Sequence, residues 1–195
     1  MPPLVFPDNT VLSNFASVNR LELLEGWLRG RGRWTAAVAY EVGRSTTVLP
    51  ALASIGRDGW LGEPIDIEDA QSVARVETIR RVVFGGAPDR PLQHLGEAQT
   101  CFLLAEWSEF TGAWWVTDDE DAYEYAVRRG IASYRTVDIM RHLVADGDLR
   151  ADEAFALLGA AAGSSNSLGA AHGLELLLIS GVALIDGVRD LVGEE

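Results

Sequence analysis

Short apolar runs that stop at polar residues, separated by stretches of helical spacing, constrain this chain more than any other feature. Leu4-Val5-Phe6 is a continuous apolar run ending at Pro7-Asp8, the pattern of a buried strand halted at a polar edge. Val18, Leu21, Leu24 and Leu28 then recur at helical spacing, and Gly30 and Gly32 end that stretch. Arg33-Trp34-Thr35-Ala36 reads as a second strand, followed by a helix from about Ala37 to Thr46. A short helix over Leu49–Ile55, a turn at Arg57-Asp58-Gly59 and a small strand over Glu63–Ile67 follow. The next helix is predicted from Ile67 to Phe84 and breaks at Gly85-Gly86-Ala87-Pro88. Then come a helix over Gly96–Glu106, a strand over Ala113–Thr117, a helix over Asp119–Arg129 and a strand over Tyr134–Val137. Helices at about 138–146 and 151–161 close the pattern. Strands alternating with helices predict a three-layer α/β/α fold around a central parallel sheet.

The domain so read covers residues 1–162, with a helical insertion at about 44–93. Gly163-Ser164-Ser165-Asn166-Ser167 reads as a linker, and Leu174–Ile185 as an apolar helix too short to span a bilayer. No apolar run reaches membrane-spanning length without a charge, and the first residues lack the basic region of a secretory signal. The single cysteine, Cys101, excludes an internal disulfide and any multi-cysteine zinc site. These features predict a cytoplasmic protein.

All sixteen Lys and Arg residues are arginine. Without lysine the chain has no P-loop, no Schiff-base nucleophile and no kinase-type ATP site. The net charge of −13 argues against a general nucleic-acid coat, because non-specific phosphate affinity comes from Lys and Arg. Acids gathered around cations escape that argument, since the bound ions reverse the sign where a phosphate sits.

Four positions carry the acidic pattern. Asp8 follows the first strand, and Asp118 and Asp119 follow Trp114-Trp115-Val116-Thr117. In open parallel sheets the carboxyl ends of strands carry the site, so these acids are expected at one edge. Glu41 shares a helix face with Ala37, Val38, Val42 and Ser45, and Glu97 with Cys101 and Leu104. A glutamate on an apolar helix face needs a partner or a metal. Converging carboxylates suit Mg2+ or Mn2+, hard cations that prefer oxygen ligands and serve phosphodiester hydrolysis. Any single acid among the twenty-nine is more often a solvated charge, and the shared pattern is what carries the reading.

The stretch from Leu4 through Asp8 to Asn14 resembles the opening of PIN domains. Ala39-Tyr40-Glu41-Val42 looks like the second acid of that family, Leu95-Gly96-Glu97-Ala98 the third, and Trp115-Val116-Thr117-Asp118-Asp119 the last strand and fourth acid. Tyr134 to Met140, Gly147-Asp148-Leu149 and Glu153-Ala154 resemble the closing part of bacterial members, so the likeness covers roughly residues 4–160. It implies a metal-dependent endoribonuclease, commonly the VapC-type toxin of a type II toxin–antitoxin pair, held in check by a small antitoxin and usually homodimeric. Asp8, Glu41, Glu97 and Asp119 would hold Mg2+ or Mn2+, with Asp118 assisting and Asn14 supporting the first Asp. Glu97 stands where many members have Asp, and residues 44–93 and the tail after 163 are longer than in compact toxins.

Arg29, Arg31 and Arg33, interleaved with glycine, are candidates to grip an RNA backbone, though a solvated face reads them equally well. His94, His142 and His172 lack ligand spacing and read as ordinary histidines. Two other classes stay open: a PIN-like interaction module working through its tail or insertion, and a metal phosphoesterase acting on small phosphates.

Overall fold

The computed structural model describes residues 2–164, so the proposed linker beyond Ser164 and the apolar segment Leu174–Ile185 lie outside the described residues. Three strands form a parallel sheet in the order β1 (Val5–Pro7), β2 (Trp114–Val116), β3 (Ala132–Tyr134). Val5 pairs with Trp114, and Trp114 in turn with Ala132.

Two predicted strands are reduced to single bridges. Val5 bridges Gly32, with Val5 N–H donating to Arg31 O at 3.0 Å and Arg33 N–H to Val5 O at 2.8 Å. Thr35 bridges Ile65, with Ile65 N–H donating to Trp34 O at 2.9 Å. All four neighbouring pairs run parallel, so the chain crosses the sheet in the order 65, 32–35, β1, β2, β3. The connection reverses direction between β1 and β2. That is the topological switch point at which open α/β sheets bind ligands.

Successive strand residues point to opposite faces, and two separate apolar clusters result. Val5 and Val116 pack with α1 (Asn9–Ser17), α2 (Leu21–Leu28), α3 (Ala36–Ser45), α8 (Thr136–Ala145) and α9 (Ala151–Ser164) through Phe15, Leu24, Val38, Ile139 and Leu158. Phe6 and Trp115 pack on the other side with α5 (Ala70–Val82), α6 (Leu95–Glu106) and α7 (Glu120–Arg128), through Val76, Leu103 and Ala122. The short α4 (Ala53–Asp58) adds Ile55 to the first cluster. Helices therefore cover both faces of the sheet, in three layers. Trp115 is fully buried, and its indole Nε1 is a buried donor without a hydrogen-bond partner among the described residues, a cost of about 1–3 kcal/mol.

Helix α1 departs from the expectation, which placed no helix between Asp8 and Val18. The chain turns straight from β1 into it, with Asp8 as the N-cap. Tyr134 ends β3 rather than beginning a strand, and α8 starts at Thr136, with Asp138 Oδ2 accepting from the N-cap Arg135 N–H at 2.9 Å. No helix among the described residues is long and apolar enough to cross a membrane.

Candidate acidic centre at the sheet edge

Asp8 sits at the carboxyl end of β1, where its N–H donates to Val116 O at 2.9 Å. It has the extended backbone of an N-cap, yet its carboxylate makes no capping hydrogen bond to α1. The side chain instead accepts on Oδ2 from Thr10 Oγ1 at 2.9 Å and Thr117 Oγ1 at 3.3 Å. At 4% exposure it is a buried acid whose carboxyl is pushed up to about 7, first by burial and then by the negative charge of Glu97, with Asp119 adding to it.

Glu41 comes from the middle of α3, whose N-terminus is capped by Thr35 accepting from Val38 N–H. It is half-buried between helices, and α6 approaches it at Gly96. A Cβ on Gly96 would stand 3.0 and 3.1 Å from the two Glu41 carboxylate oxygens and 3.2 Å from Val38, so only glycine allows this approach. Burial pushes the Glu41 carboxyl up to about 8, and the charges of Asp8 and Glu97 push it the same way, against a backbone hydrogen bond from Gly96. The Gly96→Ala variant is expected to displace this carboxylate toward solvent while costing under about 1 kcal/mol of stability, since alanine favours the helix. Carbon-detected NMR titration should then find Glu41 well below 8. An unmoved titration would contradict the packing described.

Glu97 lies in the first turn of α6, largely buried, with its Oε1 3.4 Å from His94 Nδ1. His94 is the N-cap of α6, held in the left-handed region at φ 58°. Asp119 is the N-cap of α7 and uses Oδ1 to accept from Ala122 N–H at 2.8 Å. Asp8 thus feels the charges of Glu97 and Asp119, and Glu41 those of Asp8 and Glu97, beside the switch point, and Asp8, Glu97 and Asp119 belong to the starts of α1, α6 and α7. The positive ends of those helices favour negative charge there. Every charge acting on Asp8 and Glu41 named above is itself negative.

Asp118 is placed differently. Its Oδ2 accepts from Asn14 Nδ2 at 2.7 Å and Thr136 Oγ1 at 2.5 Å, and its Oδ1 from Thr136 N–H at 2.9 Å. Burial pushes its carboxyl up, opposed by these donors. With both oxygens engaged, Asp118 ties β2 to α1 and to the start of α8, and the assisting metal ligand expected there is occupied otherwise. Asn14 accordingly supports Asp118 rather than Asp8.

The three arginines that are candidates for RNA contact lie away from the acids. Arg31 and Arg33 flank Val5, at the start of β1, whereas Asp8 follows its end. The Arg31 guanidinium donates to Leu28 O, Trp27 O and Pro3 O and lies over the Trp27 and Trp114 rings. Arg29 pairs with Asp146 at 3.4 Å on the surface. Arg33 lines a cavity of about 550 Å3 with Trp60 and Trp107, away from the acids.

Residues the sequence did not single out complete the centre. Thr10 and Thr117 hold Asp8, Gly96 admits Glu41, and His94 contacts Glu97. The signals were thin: an i,i+3 His/Glu spacing, a threonine before the Asp pair and a glycine inside a helix start.

Among the described residues, no group of three or more Asp, Glu, His or Cys side chains stands close enough to hold a metal ion as placed. Mg2+, however, keeps several waters and is commonly held by one or two carboxylates. Asp8 fits that demand, because its carboxyl is raised by burial and by the charges of Glu97 and Asp119, and a cation offsets both. No family model matches the chain, and no curated protein or solved structure matches it either.

Proposed function

We propose that this chain is a PIN-like, Mg2+- or Mn2+-dependent endoribonuclease that hydrolyses RNA phosphodiester bonds in the cytoplasm, as the toxin of a pair with a small antitoxin. The observation that carries the reading is that Asp8 feels Glu97 and Asp119, and Glu41 feels Asp8 and Glu97, beside the switch point between β1 and β2 of a parallel sheet. Order and spacing of the acids along the chain agree with the family resemblance.

Asp8 and Glu97 would hold the cation, with water filling the rest of its shell and Asp119 and Glu41 beside them. When bound, the ion supplies positive charge at the reacting phosphate and makes water more acidic. The chain's own groups do the rest. Thr10 and Thr117 fix the Asp8 carboxylate in one orientation, and the helix starts favour the phosphate's negative charge. Water adds to phosphorus, the bond to the leaving ribose oxygen breaks, a carboxylate takes the proton from water, and the leaving oxygen takes a proton from solvent. Glu41, raised to about 8 in the metal-free fold, would be brought down by a nearby cation and so suited to accept that proton. No covalent intermediate is required.

The test is cleavage of single-stranded and folded RNA with Mg2+ or Mn2+, against the same reactions with EDTA. Cation-dependent internal cleavage is the expected result. Turnover of a dinucleotide or a small phosphate ester with RNA left intact would move the reading to a small-phosphate esterase, which the acidic surface would also tolerate.

A further inference from the structure

Beside the acids, α3 and α6 leave a cavity of about 210 Å3 between them, walled by Ala37, Tyr40, Glu41, Leu92, Leu95 and Gln99. Glu41 belongs to both places, so a group bound here lies directly next to whatever the acids hold. Most of the wall is apolar. Of its walls, Tyr40 and Leu92 are each about half-exposed. Gln99 is the one neutral polar side chain on the wall after Tyr40. Its Oε1 accepts from Ala37 N–H at 3.0 Å, which fixes the amide and leaves the Nε2 hydrogens as its donors.

A flat group with apolar faces and a hydrogen-bond acceptor on its edge meets these demands. We infer that this cavity receives one unpaired base of a single-stranded RNA, adjacent to the phosphodiester that is cut. The inference rests on the nuclease reading and adds a base-binding place to it. Tyr40 stacks on the base face, Leu92 and Leu95 close over the other side, and Gln99 Nε2 donates to the base edge. Unstacked bases are recognised in this manner, by aromatic side chains and polar groups reaching their edges. A base inside a duplex has its faces covered by its neighbours and does not enter.

Fluorescence anisotropy of a labelled single-stranded RNA, on wild-type protein with Ca2+, another oxygen-seeking cation, in place of Mg2+, reads binding apart from turnover. Adding Tyr40→Ala is expected to weaken binding about tenfold, and Tyr40→Phe, which keeps the ring, to restore it. Gln99→Glu keeps the acceptor for Ala37 and removes the donor; it should weaken binding and change the ranking of the four homopolymers. In the otherwise wild-type enzyme, Tyr40→Ala should raise KM about tenfold and lower kcat by less. Equal binding of a blunt duplex, or a KM indifferent to Tyr40 in an enzyme that does cut RNA, overturns this inference alone. A wild-type protein that cuts no RNA with Mg2+ or Mn2+ overturns the nuclease reading and this inference together.

Discussion

Asp8→Asn should abolish RNA cleavage, by about a hundredfold or more, and yet make the metal-free protein more stable at neutral pH. The first effect follows from the role proposed for Asp8: outer-shell groups alone are worth about 10–100-fold in metal affinity or activity, and a ligand is worth at least that. The second follows from its burial. The carboxyl ionises near its ordinary value of 3.8 in the unfolded chain but only at about 7 in the fold. Below the unfolded value both states are neutral and the fold loses nothing. As pH rises through the window from 3.8 to about 7, the unfolded chain releases the proton first, and stability falls. Glu41 extends the same loss upward, from 4.5 to about 8. Metal-free wild type should therefore melt lower at about pH 8 than at about pH 5, and the Asp8→Asn substitution should flatten about half of that slope, worth on the order of 3 kcal/mol, with Glu41 keeping the rest. Thermal melts across this range check it. Divalent cation should restore wild-type stability at the high end and leave the variant unaffected. A wild-type melt that rises with pH would contradict the account.

Arg80→Leu is expected to cost about 3 kcal/mol or more and to lower activity as well, although Arg80 touches none of the acids. Its guanidinium is 1% exposed. It forms a fork with Glu77 at 2.7 and 2.8 Å, and its Nη1 donates to the carbonyls of Ala87, Arg90 and Gln93 at 3.0–3.2 Å. Gly86 passes so close that any Cβ would meet the guanidinium at 2.5 Å. One side chain thereby pins the whole connection from α5 to His94, the residue that starts α6 and contacts Glu97. Leucine leaves three carbonyls without their donor, each a charge-assisted bond worth about 1.5–3 kcal/mol. Lysine should not rescue it, since a point charge cannot reproduce the fork. Denaturant unfolding gives the stability, and cleavage assayed well below the melting point separates a displaced Glu97 from simple unfolding. Full activity in a folded Arg80→Leu protein would show that the connection does not position the centre.

The positions of the acids were legible because their neighbours are apolar at a defined period. Leu4-Val5-Phe6 before Asp8 marks a strand end, and Glu41 and Glu97 each fall on a helix face that the fold does bury. The parallel α/β order was legible for the same reason. What the pattern could not separate was Asp118 from Asp119. They are adjacent in sequence, and only the fold brings Asn14 and Thr136, 104 and 18 residues away, onto Asp118. Helix α1 was hidden by Asp8-Asn9-Thr10, which reads as a turn when the helix following it is not yet known. The outer strands shrink to single bridges because α3 begins at Ala36, inside the run that suggested the first, and Pro64 interrupts the run that suggested the second. Arg29, Arg31 and Arg33 gave the least reliable signal. A charge alternating with glycine says nothing about which end of the sheet it occupies, and Arg31 is held by backbone carbonyls and tryptophan rings at the far end.

Calorimetric titration of Mn2+ into wild-type protein and into Asp8→Asn, at a pH near neutrality, tests the central claim most directly. Saturable binding by the wild type that is lost in the variant is the predicted result, with protons released as the raised carboxyls ionise around the cation. Equal binding by both proteins, or none by either, would mean that the four acids at the switch point are not a metal centre.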